Sequence, residues 1–195
     1  MRYFIDTEFI DNGRTVDLIS IGIVAEDGRE LYIEVEDIDW AKADPWVIEN
    51  VRAFMWSHEQ PPEIFENWLL DKKHAGGLMA HEDIAGVIED FCNPAKYGYP
   101  QFWAWYGSYD WFLMCQIFGG FLKVPDMWPN MTNDLKQTHV RLGQPPLPKQ
   151  QGKKHNALED ARWNKRIAAH MAEQDGEWIS EMMEIMRKTQ SQPEE

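Results

Sequence analysis

The order of elements in this sequence predicts a mixed α/β fold, and three observations carry that reading. Strand-like patterns at residues 2–8, 17–25 and 30–36 follow one another with turn dipeptides in the gaps. A further strand pattern, 101–106, stands alone in mid-chain. Helical patterns fill most of the remainder, so strands and helices do not alternate one for one.

The chain opens on the strand RYFIDTE, residues 2–8. Residues 17–25 (DLISIGIVA) are apolar at both sets of alternating positions, which predicts a central strand buried on both faces. In 30–36, Leu31, Ile33 and Val35 alternate with Tyr32, Glu34 and Glu36, the pattern of a half-buried strand. Asn12-Gly13 and Asp27-Gly28 suit tight hairpin turns and predict an antiparallel meander. Asp44 is placed to cap a helix whose first turn holds Pro45. Residues 57–80, with Pro61-Pro62 and Gly76-Gly77, read as a loop-rich insertion. Ile84, Val87, Ile88 and Phe91 form one face of a helix. The strand QFWAWY (101–106) leads to a helix over 109–118 that stops at Gly119-Gly120. Residues 143–154 (GQPPLPKQQGKK) are a loop. Asn156 caps the next helix, with Glu159 as its capping-box partner, and that helix reaches about residue 173. A separate helix near 176–188 gathers Trp178, Ile179, Met182, Met183 and Met186 on one face, a core-like stripe that could also pack across a dimer. The plan is a domain over 1–173, a helical extension over 174–189 and a disordered tail over 190–195.

At 195 residues, 44% apolar and 27% charged, the chain can bury its own core. Cys92 and Cys115 fall on apolar helical faces and read as buried thiols, which fits a reducing, cytoplasmic setting. The strand pattern begins at Arg2, so no signal peptide is expected, and no apolar run approaches the roughly 18 residues of a membrane span. A net charge of −14 argues, taken alone, against a nucleic-acid binder. The imbalance is local, however. From Lys136 to Arg166 there are eight basic residues and two acids, a surplus of six, and the rest of the chain carries −20. Such a segment is either a solvated surface or a place to which an anionic ligand is steered.

Asp6 and Glu8 are two apart on a strand, so both carboxylates project from one face, roughly 7 Å apart at the backbone. Unpaired acids on a buried strand repel each other, and a hard divalent cation with oxygen ligands removes that cost. A strand end with two solvated acids is the plain alternative. Asp110 opens a helix directly after the strand, in WAWYGSYD, where it or Ser108 could simply cap that helix. His155 ends the Pro/Gln/Lys loop, and Asp160 follows in the first turns of the next helix. Five residues rotate by about 140° on a helix, so this is no zinc-type pair. The other histidines, His58, His74, His81, His139 and His170, show no metal-ligand spacing.

The three motifs, D-x-E, Y-D and H-x-x-x-x-D, in this order and on these elements, make the chain resemble the DEDDh branch of the 3′→5′ exonuclease superfamily. Asp6, Glu8, Asp110, His155 and Asp160 fill its five signature positions, and the resemblance runs from residue 2 to about 170. MRYFIDTEF, LISIGIVAEDGRE, WAWYGSYD, CQIFG and HNALEDAR are similar to the RNase AS subgroup, exoribonucleases that degrade poly(A) 3′ ends. Residues 37–100 and the segment after about 172 depart from it, and Tyr106 stands where many relatives carry Asn.

The resemblance implies a ribonuclease H-like fold, with further parallel strands beside the three antiparallel ones. It implies that Asp6, Glu8, Asp110 and Asp160 hold two Mg²⁺ or Mn²⁺ ions, with His155 as general base for the attacking water. It implies a single-stranded RNA 3′ end as substrate, 5′-mononucleotide products and a homodimer, with Glu8 or a main-chain group meeting the ribose 2′-OH. A DNA 3′ exonuclease, a short-oligoribonucleotide degrader and a non-catalytic nucleic-acid-binding module are the rival readings. Phe9, Trp105, Tyr109 and Trp111 are candidates for base stacking, and core packing is the alternative for Trp103, Trp105 and Trp111.

Overall fold

The computed structural model describes residues 1–59 and 63–190, with side chains through residue 176 except at position 59. Strands β1 (Arg2–Asp11), β2 (Val16–Ala25) and β3 (Glu30–Val35) form the antiparallel meander. Helix α1 (Pro45–Asn50) starts where the Asp44 carboxylate accepts a hydrogen bond from the Trp46 main-chain amide. Then come α2 (Trp56–Glu59), α3 (Glu63–Trp68), β4 (His74–Met79), α4 (His81–Phe91), α5 (Pro94–Tyr97) and β5 (Gln101–Ala104). The chain continues through α6 (Ser108–Ile117), β6 (Asn133–Asp134), α7 (Leu135–Arg141) and α8 (Ala157–Gln190). The sheet order is β4-β3-β2-β1-β5-β6, with the meander in the middle and β4, β5 and β6 joined in parallel. This is the mixed, helix-flanked sheet that the element order and the resemblance predict.

Several local expectations are corrected. Residues 57–80 are not a loop-rich insertion, since they contain α3 and the edge strand β4. Two glycines hid β4. At Gly76 a Cβ would sit 2.0 Å from the Tyr32 carbonyl oxygen, so the close approach of β4 to β3 requires glycine there. The strand QFWAWY ends at Ala104, and Tyr106 turns the chain away with φ 60°. Helix α7 went unread. Asp134 caps it by accepting a hydrogen bond from the Gln137 amide. Helix α8 is a single element without the expected break near 173–176, Gly176 lying inside it. The side chains of the Met-rich stripe and residues 191–195 of the tail lie outside the described residues.

The sheet is covered on both faces. On one, Tyr3, Ile5, Ile21, Ile23, Leu31 and Ile33 pack against Ile84, Ile88 and Phe91 of α4 and Leu113 and Met114 of α6. On the other, Val24 and Tyr32 pack against Ala157, Leu158 and Ala161 of α8. Strand β2 is thus central, as its doubly apolar pattern requires. Strand β3 is not half-exposed: Tyr32 and Glu34 are fully buried beneath α8 and the α2–α3 segment. Cys92 and Cys115 are free and buried. Among the described residues, no helix is long and apolar enough to cross a membrane.

Candidate active site

Strand β1 changes character along its length. It pairs with β2 from Tyr3 to Asp11 but with β5 only from Arg2 to Phe4. Beyond Phe4 the β5 side of β1 is open, at a switch point of the sheet where side chains from several elements can converge. The Asn164 side chain of α8 donates to the Ile5 carbonyl on that edge, at 2.9 Å.

Alternation puts Asp6 and Glu8 on the α8 face of β1. Opposite Asp6 in the ladder stands Gly22. A Cβ at Gly22 would lie 2.3 Å from the Ala157 carbonyl oxygen, so only glycine lets the first turn of α8 settle there. That contact carries Asp160 to the pair. Single ligand oxygens of Asp6, Glu8 and Asp160 all fall within 4.8 Å of one another. An all-carboxylate donor set this tight fits a hard divalent cation such as Mg²⁺ or Mn²⁺.

Asp110 enters from the other side. It lies in the first turn of α6 and is 5% exposed. Its Oδ1 accepts a 2.7 Å hydrogen bond from Thr7 Oγ1, and it also accepts from the Thr7 main chain and from its own amide. It therefore closes the open edge of β1 rather than capping α6, whose N-cap is Gly107. Asp110 stands outside the 4.8 Å group, yet its charge reaches Asp6 and Glu8. Ladder register shifts between Glu8 and Phe9, leaving Ile19 of β2 without an opposite residue. Such bulges re-aim side chains next to functional sites.

The four carboxyls are held against their preferred ionised form. Burial, then the charges of Asp110, Asp160 and Glu8, push Asp6 well above the usual carboxylate range. Burial and the charges of Asp160 and Asp110 push Glu8 up to about 8. Burial raises Asp110 to about 7 against the opposing hydrogen bonds from Thr7, and burial raises Asp160 as well. Each group then binds its proton more tightly folded than unfolded. From the ordinary carboxylate range up to about pH 8, the metal-free folded protein holds more protons than the unfolded chain, so its stability falls as pH rises. In EDTA the melting temperature is expected to drop between about pH 5 and 8, by roughly 3–5 °C per pH unit for each such proton. Mn²⁺ is expected to restore most at the alkaline end. A melting temperature that climbs through that window in EDTA would contradict the electrostatic reading.

His155 directly precedes the helix, half-buried, with φ 61° and its ring edge-on to Trp46 at 4.9 Å. Asn156 caps α8 as expected, accepting from the Glu159 amide, but Glu159 turns to Arg162 instead of completing a capping box. The preceding loop is strapped to its neighbours. His139 bonds the Pro145 carbonyl, His170 that of Pro146 and Trp163 that of Pro148. Gln150 donates to Asp160 Oδ1 and Arg166 donates to Gln151. The loop over 143–154 is thus anchored through Gln151. The run Gly152–Lys154 before His155 is exposed, with the Lys153 ammonium over the Phe54 ring at 4.9 Å and Gly152 close against the Glu159 carboxylate.

The aromatic candidates divide. Phe9 and Tyr109 stack on each other at 4.9 Å, beside Glu8 and Asp110 in sequence, and the Tyr109 hydroxyl donates to Asp11. Tyr109 is 46% exposed, so it is the member open to a ligand. Trp105, a candidate base contact with core packing as its alternative, packs its ring against Trp163 and His139, with the Lys136 ammonium over it. Trp111 packs on Phe102 in the core. Most of the basic surplus is committed to structure. Arg162 forms a two-pronged pair with Glu30, Lys165 caps the Ala25 and Glu26 carbonyls, and Arg141 faces Asp175. Lys149, within the anchored segment, and Lys154, after it, are exposed. Gly22, Thr7 and Gln150 support the site and were not singled out from the sequence. Only the glycine within an otherwise apolar strand was a signal, and a faint one.

A family profile described as "3'-5' exoribonuclease Rv2179c-like domain" matches residues 1–172. Two curated Mycobacterium tuberculosis proteins, 3'-5' exoribonuclease MT2234.1 and 3'-5' exoribonuclease Rv2179c, are each 36% identical over 162 residues, covering 83% of this chain and 88% of theirs. Among solved structures, the Neurospora crassa Pan2 catalytic unit (protease and nuclease domain) aligns with a TM-score of 0.47 and 15% identity, over 99% of this chain and 30% of that one. With the family profile spanning nearly the whole folded domain and the curated relatives covered over most of their length, the chain belongs to the Rv2179c-like 3′-5′ exoribonuclease family.

Proposed function

We propose that this chain releases nucleoside 5′-monophosphates one at a time from the 3′ end of single-stranded RNA, by metal-dependent hydrolysis with His155 as general base. The convergence of Asp6, Glu8 and Asp160 within 4.8 Å carries the reading. With Asp110, these residues would hold two Mg²⁺ or Mn²⁺ ions. Bound there, the metal supplies a more acidic water and stabilises charge on the leaving 3′ oxygen. His155 takes the proton of the attacking water, which an imidazole does efficiently near neutral pH. It lies at the end of the exposed run after Gln151, next to the anchored part of the loop.

The exposed face of Tyr109, backed by Phe9, receives the terminal base, a stack worth about 1–3 kcal/mol. Lys149 and Lys154 meet backbone phosphates. The −20 outside the basic segment limits contact to a few terminal nucleotides. An adenylate preference, a homodimer and a cytoplasmic setting belong to the same proposal and are supported by the family resemblance of the sequence motifs.

A Mn²⁺-dependent time course on A-tailed RNA, mixed-sequence RNA and single-stranded DNA tests this. The expected result is a ladder shortening from the 3′ end, with 5′-AMP from the A-tail appearing first. Faster digestion of DNA would move the substrate to DNA. Oligonucleotide products, or none, would overturn the proposal.

A further inference from the structure

Residue His155 holds a backbone conformation that few non-glycine residues adopt, at φ 61°. Its N-terminal neighbours Gly152, Lys153 and Lys154 are exposed, with the Lys153 ammonium over the Phe54 ring and Gly152 itself at φ 93°. Trp46, the ring against it, is 51% exposed. The fixed point lies on the other side. Asn156 is 4% exposed, and its amide is fully used. Nδ2 donates to Tyr32 Oη at 3.1 Å and to the Phe54 carbonyl at 3.2 Å, while Oδ1 accepts from the Glu159 amide at 3.2 Å.

Behind Asn156 the chain of hydrogen bonds continues inward. Tyr32 Oη donates to Glu34 Oε1 at 2.6 Å. Glu34 also accepts from the Trp56 amide at 2.6 Å and the Ser57 amide at 3.0 Å. An acidic side chain buried this deeply is costly, and an apolar residue would fill a strand interior more cheaply. Its three donors fix it, and through the Tyr32 hydroxyl it fixes where the Asn156 amide can sit. Resting on the general-base reading of His155, we infer that Tyr32 and Glu34 are positioning residues that act through Asn156 to hold His155 at the reacting water.

The geometry makes this separable from metal binding. Asp6 and Glu8 sit on β1 and Asp110 is set by Thr7; the Glu8 charge reaches the Tyr32 hydroxyl, which is hydrogen-bonded to Glu34 and Asn156 and to none of these three. Asp160 accepts from the His155 and Asn156 main-chain amides rather than from the Tyr32 hydroxyl, and its helix α8 is also held by the close approach at Gly22 and by Asn164 on Ile5. Tyr32→Phe removes one hydroxyl and keeps the ring that packs on Trp56 and Phe65. Asn156→Ser keeps an oxygen able to cap α8 and loses both donors.

The test is a double-mutant cycle of Tyr32→Phe with His155→Ala, read on 3′-tailed RNA with Mn²⁺, beside a Mn²⁺ titration of each variant. Tyr32→Phe is expected to lower kcat about tenfold with KM and Mn²⁺ affinity unchanged, the scale of a misplaced catalytic group. In the His155→Ala background it is expected to lower kcat no further. Asn156→Ser should follow the same pattern, and it replaces Tyr32→Phe should that variant fail to fold. Wild-type turnover of Tyr32→Phe beside a crippled His155→Ala variant would defeat this inference alone. So would an undiminished loss in the His155→Ala background, or a parallel loss of Mn²⁺ affinity. Wild-type turnover of His155→Ala would defeat the general-base reading and this inference with it.

Discussion

Asp6→Asn is expected to lower turnover by about a thousandfold or more while raising the melting temperature of the metal-free protein. Both effects come from one cause. Burial and three neighbouring carboxylates act on Asp6, so without a cation its charge is a liability of the folded state. An amide keeps the shape and removes the repulsion, which should be worth about 1–2 kcal/mol, or a few degrees in EDTA. On the proposed function the same change removes a metal ligand, and single losses of charge stabilisation cost about 10²–10³ in rate and more when a metal is lost. Turnover on RNA and thermal melting in EDTA and in Mn²⁺ check it together. An asparagine variant that melts lower in EDTA, or one that turns over like wild type, would contradict the account. The opposite signs matter, because a merely structural Asp6 predicts lower stability and no specific loss of activity.

His155→Ala has the second largest expected effect, a fall in kcat of about 10²–10⁴, the usual contribution of a positioned general base. The four carboxylates remain in this variant, so KM and the Mn²⁺-induced rise in melting temperature should persist. Single-turnover kinetics separate the loss from any change in product release. A variant with normal kcat and raised KM would instead make His155 a binding residue. The strapped loop bears on this. Pro145, Pro146, Pro148, Gln150 and Gln151 are all engaged, and the His155 main chain itself bonds Asp160, so the base is expected to need little rearrangement.

The chemistry-bearing residues were legible because their positions follow from simple periodicities. Asp6 and Glu8 share a face by strand alternation, and Asp110 and Asp160 fall in the first turns of α6 and α8. The supports were less legible. Gly22 decides how near α8 comes to Asp6, but a glycine in an apolar strand gives no periodic signal. Gly76 and Gly77 made β4 look like a loop for the same reason: close backbone approach leaves no side-chain pattern to read. Glu34 alternates as a solvent-facing residue would, and only its hydrogen bonds to Trp56, Ser57 and Tyr32 explain its burial. Trp105 has the composition of a base platform and the contacts of a packing residue. Local pattern assigns elements and faces. Which polar faces are buried depends on what crosses over them, and here that is α8 and the segment before it.

On the proposed function Asp6, Glu8, Asp110 and Asp160 form a cation site whose carboxylates repel one another unless a cation compensates their charge. Calorimetric titration of Mn²⁺ into the full chain at about pH 7, in two buffers of different ionisation enthalpy, tests it most directly. The account predicts saturable binding accompanied by release of protons from carboxyls such as Glu8 and Asp110, held near 8 and 7 without metal, and loss of that binding in Asp6→Asn. Saturable binding of equal strength in the Asp6→Asn variant, or no binding by the wild-type chain, would contradict it.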